Sequence, residues 1–297
     1  MNKKILFCGG GNMAEGIIKT LLRTNTFTSN MITVSEILPA RREYLSQTYS
    51  VKTIVSIGES VRAESAACGL ESAAVADAVQ NADFLIVAVQ PQQVTKVLAA
   101  LAPKMSENAL IISIAAGVTI ETVSAAVCSG MDVAGDAKGE HSVRIARVMP
   151  NTLSSSGNGY SAFCMNENCS DENACDISEI LSALGQVMRL QEEMFDTFTA
   201  FSCTGPLWIY KMIEAMTDAG VYSGFSRKDA RDIVIRNMIG AASLLDTTGE
   251  HPAVKVDQMT SPGGTSIEVL KVLQEKGFAN AIMASVDAGV KKTKSLR

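Results

Sequence analysis

The feature that most constrains this chain is a series of short, almost unbroken apolar runs separated by helical stretches. Lys4–Cys8, Met31–Ser35, Phe84–Val89, Ala109–Ile114 and Val143–Met149 all read as strands. Between the first two, Met13, Ile17, Ile18, Leu21 and Leu22 recur at helical spacing, and Arg41–Thr48 reads as a second helix. A strand apolar at successive positions is buried on both faces, and alternation with helices makes it part of a parallel sheet covered on both sides. Val143–Met149 is expected to be the last strand, with Pro150-Asn151-Thr152 turning out of it.

The second half changes character. Ser170–Leu184 reads as a helix closed by Gly185, and Leu207–Ala219 as one entered through Gly205-Pro206 and ended by Gly220. Ser226 with Asp229 opens a long helix to about Asp246, whose apolar positions are too many for one face. A helix apolar around most of its circumference needs cover on several sides, which implies a partner chain. The expected fold is therefore α/β: an N-terminal Rossmann-type parallel-sheet domain over 1–165 and a C-terminal all-helical dimerisation domain over 166–297. The segments 57–76, 123–142 and 154–159 read as surface loops.

Composition removes several classes of function. Twenty-six basic against 31 acidic residues give a net charge of −5, a poor match for nucleic acid or anionic lipid. The seven cysteines are odd in number, contain no C-x-x-C and read as reduced thiols. Ile5–Cys8 is too short for the core of a signal peptide, and Ala109–Val118 falls far short of the ~20 residues that span a membrane. A cytoplasmic protein without membrane, nucleic-acid or metal partners is expected.

Gly9-Gly10-Gly11-Asn12-Met13-Ala14 fits G-x-G-x-x-G/A directly after a strand and at the start of a helix. The first glycine makes the tight turn and the second admits a pyrophosphate to the helix N-terminus, while a small third residue lets helix and strand pack closely. At the end of the second strand, Ser35-Glu36 should report on the adenosine ribose. A carboxylate there accepts ribose hydroxyls and repels a 2′-phosphate, which favours NADH. Arg41 and Arg42 follow closely and offer the opposite charge, or else lie on a solvated helix face; NADPH and NADH both stay open.

Arg147–Thr152, Ile213–Met216 with Asp218–Gly220, Gly249–Val254 and above all Asp257–Ile267 with its Ser261-Pro262-Gly263-Gly264-Thr265 core resemble the pyrroline-5-carboxylate reductase family. Gly9–Glu15 and Ala115–Thr119 add to the resemblance, which covers nearly the whole chain. It implies reduction of a cyclic imine, 1-pyrroline-5-carboxylate, to proline with NADPH or NADH, by a protein that self-associates as a dimer or larger homo-oligomer. Cofactor contacts are then expected from Gly9, Gly10, Gly11, Asn12, Met13, Ser35, Glu36, Ala88, Val89, Gln90, Pro91, Ala115, Ala116, Gly117 and Asn151. Substrate contacts are expected from Ser261, Gly263 and Gly264, with Thr265 and Ser266 as the catalytic hydroxyls and Ser266, where the family usually has Thr, facing the imine nitrogen. The chain departs from the family pattern also at Gln90, Leu153 and Cys203. Two other readings compete: a non-catalytic dinucleotide sensor, and a β-hydroxyacid dehydrogenase. The latter resembles a pattern of Lys followed four residues later by Asn, where this chain has Lys211 and Ala215.

Overall fold

A computed structural model describes residues 1–55, 66–132, 143–151, 153 and 158–295. One compact unit comprises Met1–Cys203 with the chain from Thr293, and the other comprises Thr204–Lys292.

The first unit is built on an eight-stranded sheet. Its strands are β1 (Ile5–Cys8), β2 (Ile32–Glu36), β3 (Lys52–Val55), β4 (Phe84–Val87), β5 (Leu110–Ser113), β6 (Arg144–Met149), β7 (Gly159–Met165) and β8 (Gly185–Arg189). Their order is β3-β2-β1-β4-β5-β6-β7-β8, parallel throughout except that β7 runs antiparallel to β6. Helices α1 (Asn12–Arg23), α2 (Pro39–Tyr49), α3 (Ala66–Gln80), α4 (Pro91–Leu101), α5 (Ile120–Asp132) and α6 (Asp171–Ser182) connect them. All four residues of β1 are buried. Ile5 and Phe7 pack with Ile17, Ile18 and Leu21 of α1, while Leu6 and Cys8 pack with Val94 and Leu98 of α4 and Val123 and Val127 of α5. The two faces of one strand thus belong to two separate cores, as continuous apolarity requires.

Four sequence expectations change. Val143–Met149 is not the last strand, because the chain returns as β7 and adds β8 beyond it. The compact units therefore part at Cys203/Thr204, well past the expected 165/166 boundary, since α6 buries Ile177, Ile180 and Leu181 against the sheet core. Residues 66–76 lie in α3 and 123–132 in α5, not in loops; Val123, Ala126 and Val127 are buried there. The remainder of the segments read as loops at 57–65, 133–142 and 154–157 lies outside the described residues. Gly220 does not end its helix either.

The second unit is helical, with α7 (Gly205–Tyr222), α8 (Arg227–Thr248), α9 (Pro252–Met259), α10 (Thr265–Glu275) and α11 (Phe278–Lys294). The Ser226 hydroxyl accepts the Asp229 N–H at the start of α8, and Gly249, at φ +65°, closes its end. Gly220 lies inside α7, where an added Cβ would sit 2.8 Å from Ala230 Cβ, so the glycine sets how closely α7 and α8 approach. Within the single chain α8 buries only Ala230 and Val234 and leaves Ile233, Ile235, Ile239 and Leu244 exposed. Gly220→Val should force the two helices apart and lower stability by about 1–3 kcal/mol in denaturant titration; an unchanged midpoint would show that the helices do not pack on this glycine.

Candidate active site

The sheet's order reverses between β1 and β4, and a crevice opens outside the carboxyl ends of strands at such a point. Gly9 forms its floor. Its φ is +103°, its N–H donates to the Ser35 carbonyl at 2.8 Å, and a Cβ there would lie 2.7 Å from the Ala88 carbonyl oxygen. Ala88 in turn donates its N–H to the Cys8 carbonyl at 2.9 Å. No residue with a side chain fits between these two backbones.

Gly10 is enclosed differently. An added Cβ would meet Leu45 Cδ1 at 2.7 Å and Glu36 Oε2 at 3.2 Å. Its N–H donates to Glu36 Oε2 at 2.9 Å, and Glu36 Oε1 accepts the Leu38 N–H at 3.0 Å. Its carbonyl accepts from Arg41 Nε at 2.7 Å. Gly11, by contrast, has nothing within 4 Å of an added Cβ and caps α1 without any side-chain hydrogen bond. The first turn of α1 therefore presents backbone N–H groups to an open space, flanked by exposed Asn12 and half-buried Met13. That geometry fits a dinucleotide pyrophosphate.

Ala88–Pro91 leaves β4 with Gln90 at the N-cap of α4 and Pro91 in its first turn. Ala115–Gly117 leaves β5 through a left-handed turn at Gly117, φ +77°. These segments share the carboxyl edge with Gly9–Gly11 and the Ser35–Glu36 end of β2. The Ser35 hydroxyl is turned into the sheet, donating to the Val55 carbonyl at 3.4 Å. Asn151 follows β6 and organises its own turn: its Oδ1 accepts the N–H groups of Leu153 and Tyr160, and its amide lies 3.5 Å from Ser202 Oγ. Cys203 fills its space with a thiol that donates to the Pro150 carbonyl at 3.6 Å, and burial pushes its pKa up to about 11.

Arg41 and Arg42 do not lie on a solvated face. Arg41 pairs with Glu15 at 2.5 Å, and one Arg42 nitrogen donates to the carbonyls of Glu36 and Ile37, each at 2.7 Å. Glu15 also accepts from the hydroxyls of Tyr44 and Tyr49. Burial pushes its carboxyl up, yet these hydrogen bonds and the Arg41 charge together hold it below the usual carboxylate range.

A second group escaped the sequence reading. Arg147 in β6 is 1% exposed, pairs with Glu192 at 3.0 Å, and has its guanidinium carbon 4.7 Å from the centre of the Phe195 ring. The same Glu192 oxygen accepts the Ile120 N–H at 2.8 Å, so the pair fixes the start of α5 beside Ala115–Gly117. An arginine between Ala146 and Val148 in an apolar strand is the only sequence signal of it.

The helical unit carries the other set of expected residues. Gly263 has φ +69°, Gly264 donates its N–H to the Ser261 carbonyl at 3.0 Å, and α10 begins at Thr265 with no side chain capping it. An added Cβ on Gly264 would lie 2.5 Å from Ser261 Oγ. The hydroxyls of Ser261, Thr265 and Ser266 engage no other group among the described residues. Free hydroxyls beside a helix's unpaired N–H groups make an anion-binding arrangement that also offers a neutral hydrogen-bonding group. In α7, Lys211 pairs with Glu214 one turn on.

Fold and crevice define a Rossmann-type protein with an appended helical domain. A family model described as pyrroline-5-carboxylate reductase dimerisation matches residues 192–296, and one described as NADP oxidoreductase, coenzyme F420-dependent, matches residues 4–117. The pyrroline-5-carboxylate reductase of Synechocystis is 33% identical over 296 residues, covering 100% of this chain and 99% of that protein. That of Escherichia coli is 30% identical, with the same coverage of each. The solved pyrroline-5-carboxylate reductase of Coxiella burnetii superposes with TM-score 0.82 at 26% identity, covering 100% of this chain and 99% of that one. The Plasmodium falciparum pyrroline carboxylate reductase, solved with NADP bound, shares the fold with TM-score 0.79 at 24% identity, covering 99% and 98%. The chain belongs to the pyrroline-5-carboxylate reductase family.

The two edge glycines of the turn should respond oppositely. Gly9→Ala combines a left-handed φ with contact against backbone and should cost about 1–3 kcal/mol of stability. Gly11→Ala points into open space and should stay within about 1 kcal/mol of the parent in the same denaturant titration. Equal effects would contradict the packing described for Gly9.

Proposed function

We propose that the chain reduces 1-pyrroline-5-carboxylate to proline with NADH or NADPH, as its family membership implies. The observation that carries the reading is the Ser261–Ser266 turn: a glycine-capped helix start with unengaged hydroxyls, which a protein that only binds dinucleotide has no use for. The nicotinamide supplies the hydride that adds to the imine carbon. The N–H groups of Gly263 and Thr265 hold the substrate carboxylate, that of Gly264 being taken by the Ser261 carbonyl, and the Ser266 hydroxyl hydrogen-bonds the ring nitrogen. The imine takes its proton from water near neutral pH, so a chain with only two histidines lacks nothing the step needs. In the sheet unit, Gly9–Met13 holds the pyrophosphate, Glu36 meets the adenosine ribose, and Ala88–Pro91, Ala115–Gly117 and Asn151 border the nicotinamide side.

The dimerisation domain makes the protein a homo-oligomer. We take the unit to be a dimer or larger, closed over the exposed apolar positions of α8. No helix among the described residues is long and apolar enough to cross a membrane, and a cytoplasmic location suits the reduced cysteines.

Steady-state rates with pyrroline-5-carboxylate and each dinucleotide test the reading, and oxidation of proline or thiazolidine-4-carboxylate at high pH separates an enzyme from a sensor. Ser266→Ala removes one hydrogen bond at a charged ring, worth ~1.5–3 kcal/mol, so kcat/KM should fall roughly ten- to a hundredfold while dinucleotide affinity barely changes. Full activity in Ser266→Ala with loss in Thr265→Ala would reverse the two hydroxyls. Full activity in both would remove the substrate from this turn.

A further inference from the structure

The loop that receives the dinucleotide is held from both sides of one residue. Glu36 takes the Gly10 N–H and Arg41 takes the Gly10 carbonyl. The two charged groups differ in what else engages them. Glu36 meets only backbone N–H groups, those of Gly10 and Leu38, and no cation neutralises it among its hydrogen bonds. Each of its oxygens keeps a further lone pair for a hydroxyl donor. Arg41 is instead tied at Nε to the Gly10 carbonyl and at Nη2 to Glu15, with its guanidinium carbon 5.1 Å from the centre of the Tyr44 ring. Glu15 is fixed by three donors, since Tyr44 and Tyr49 reach it at 2.9 and 2.8 Å. Side-chain exposures of 23% for Arg41 and 20% for Glu15 place the pair largely out of solvent.

A 2′-phosphate is gripped by a parallel pair of guanidinium N–H groups, and the Nε–Nη2 edge of Arg41 is already engaged by the Gly10 carbonyl and Glu15. We infer that Glu15, backed by Tyr44 and Tyr49, sets cofactor choice by holding Arg41 on the Gly10 carbonyl, so that the ribose end of the crevice is governed by Glu36 and takes NADH in preference to NADPH. This rests on the reading that the crevice binds a nicotinamide dinucleotide. Arg42 braces the turn that carries Glu36 through one nitrogen, which donates to the Glu36 and Ile37 carbonyls, and Arg42→Met tests whether its Nε and second terminal nitrogen reach a phosphate.

Titration of the full-length protein with NADH and with NADPH, followed by nicotinamide fluorescence without substrate, tests the inference apart from turnover. The parent should bind NADH about tenfold or more tighter, the scale of one charge-assisted contact. Arg41→Gln should weaken both dinucleotides by the same factor, since its loss loosens the loop and not a phosphate contact. Glu15→Gln should release Arg41 and narrow the NADH-to-NADPH ratio about fivefold. Tyr44→Phe, at an exposed helix position, should narrow it in the same direction by less, and serves if Glu15→Gln fails to fold. Tighter NADPH binding by the parent, or selective loss of NADPH in Arg41→Gln or Arg42→Met, would overturn the inference. So would an unchanged ratio in Glu15→Gln, or in Tyr44→Phe if that variant stands in. NADH binding with no reduction of pyrroline-5-carboxylate would instead strike the proposed reaction and leave the inference standing, whereas binding of neither dinucleotide overturns both.

Discussion

Backbone against backbone at Gly9 and Ala88 is the contact on which the dinucleotide unit depends. Strands β1 and β4 are neighbours whose connections leave in opposite directions along the sheet, and the crevice is the gap left between those departures. The gap has its shape only if the chain can turn sharply at the end of β1 while touching β4. Gly9 meets both demands, with its left-handed φ and with no Cβ to strike the Ala88 carbonyl. Everything further out follows from that turn: the clamp on Gly10, the aim of α1, and the open space over Gly11.

The helices of this chain begin in different ways. Helices α6, α8 and α9 are closed by the side chains of Ser170, Ser226 and His251, and α5 by Glu192. Helices α2, α4 and α7 carry proline in the first turn, which removes a donor that needs a partner. Helices α1 and α10 have neither device and start from glycine, as α11 does after Gly277. Unpaired N–H groups at a helix start carry a cost that a bound anion relieves. The proposed reaction assigns the pyrophosphate to the start of α1 and the substrate carboxylate to the start of α10.

Strands β1 and β4 are legible in the sequence because every residue in them is apolar, whatever the register, and β5 and β6 because only Ser113, Arg144 and Arg147 interrupt their runs. β7 and β8 are not, since Tyr160, Gln186 and Arg189 are exposed and break the runs. Much of α3 and α5 reads as loop because Ala, Ser and Gly recur there, yet Val75 and Val79 in α3 and Val123, Ala126 and Val127 in α5 are buried in the sheet core. Gly220 was read as a helix end because a C-terminal glycine and a packing glycine look alike along the chain. The Ser261–Ser266 turn was legible because its whole chemistry lies within six consecutive residues. The Glu15–Arg41 pair was not, because it joins residues 26 apart through a contact that only the folded β1–α1–β2–α2 unit creates.

Isotope transfer follows the hydride itself. The protein would be supplied with pyrroline-5-carboxylate and dinucleotide carrying deuterium at the transferable position of the nicotinamide ring, and the product analysed by mass spectrometry. Proline bearing one deuterium on the carbon that had been double-bonded to nitrogen is the expected product. Dinucleotide bound but unconsumed, or proline formed without the label, would contradict the proposed reaction.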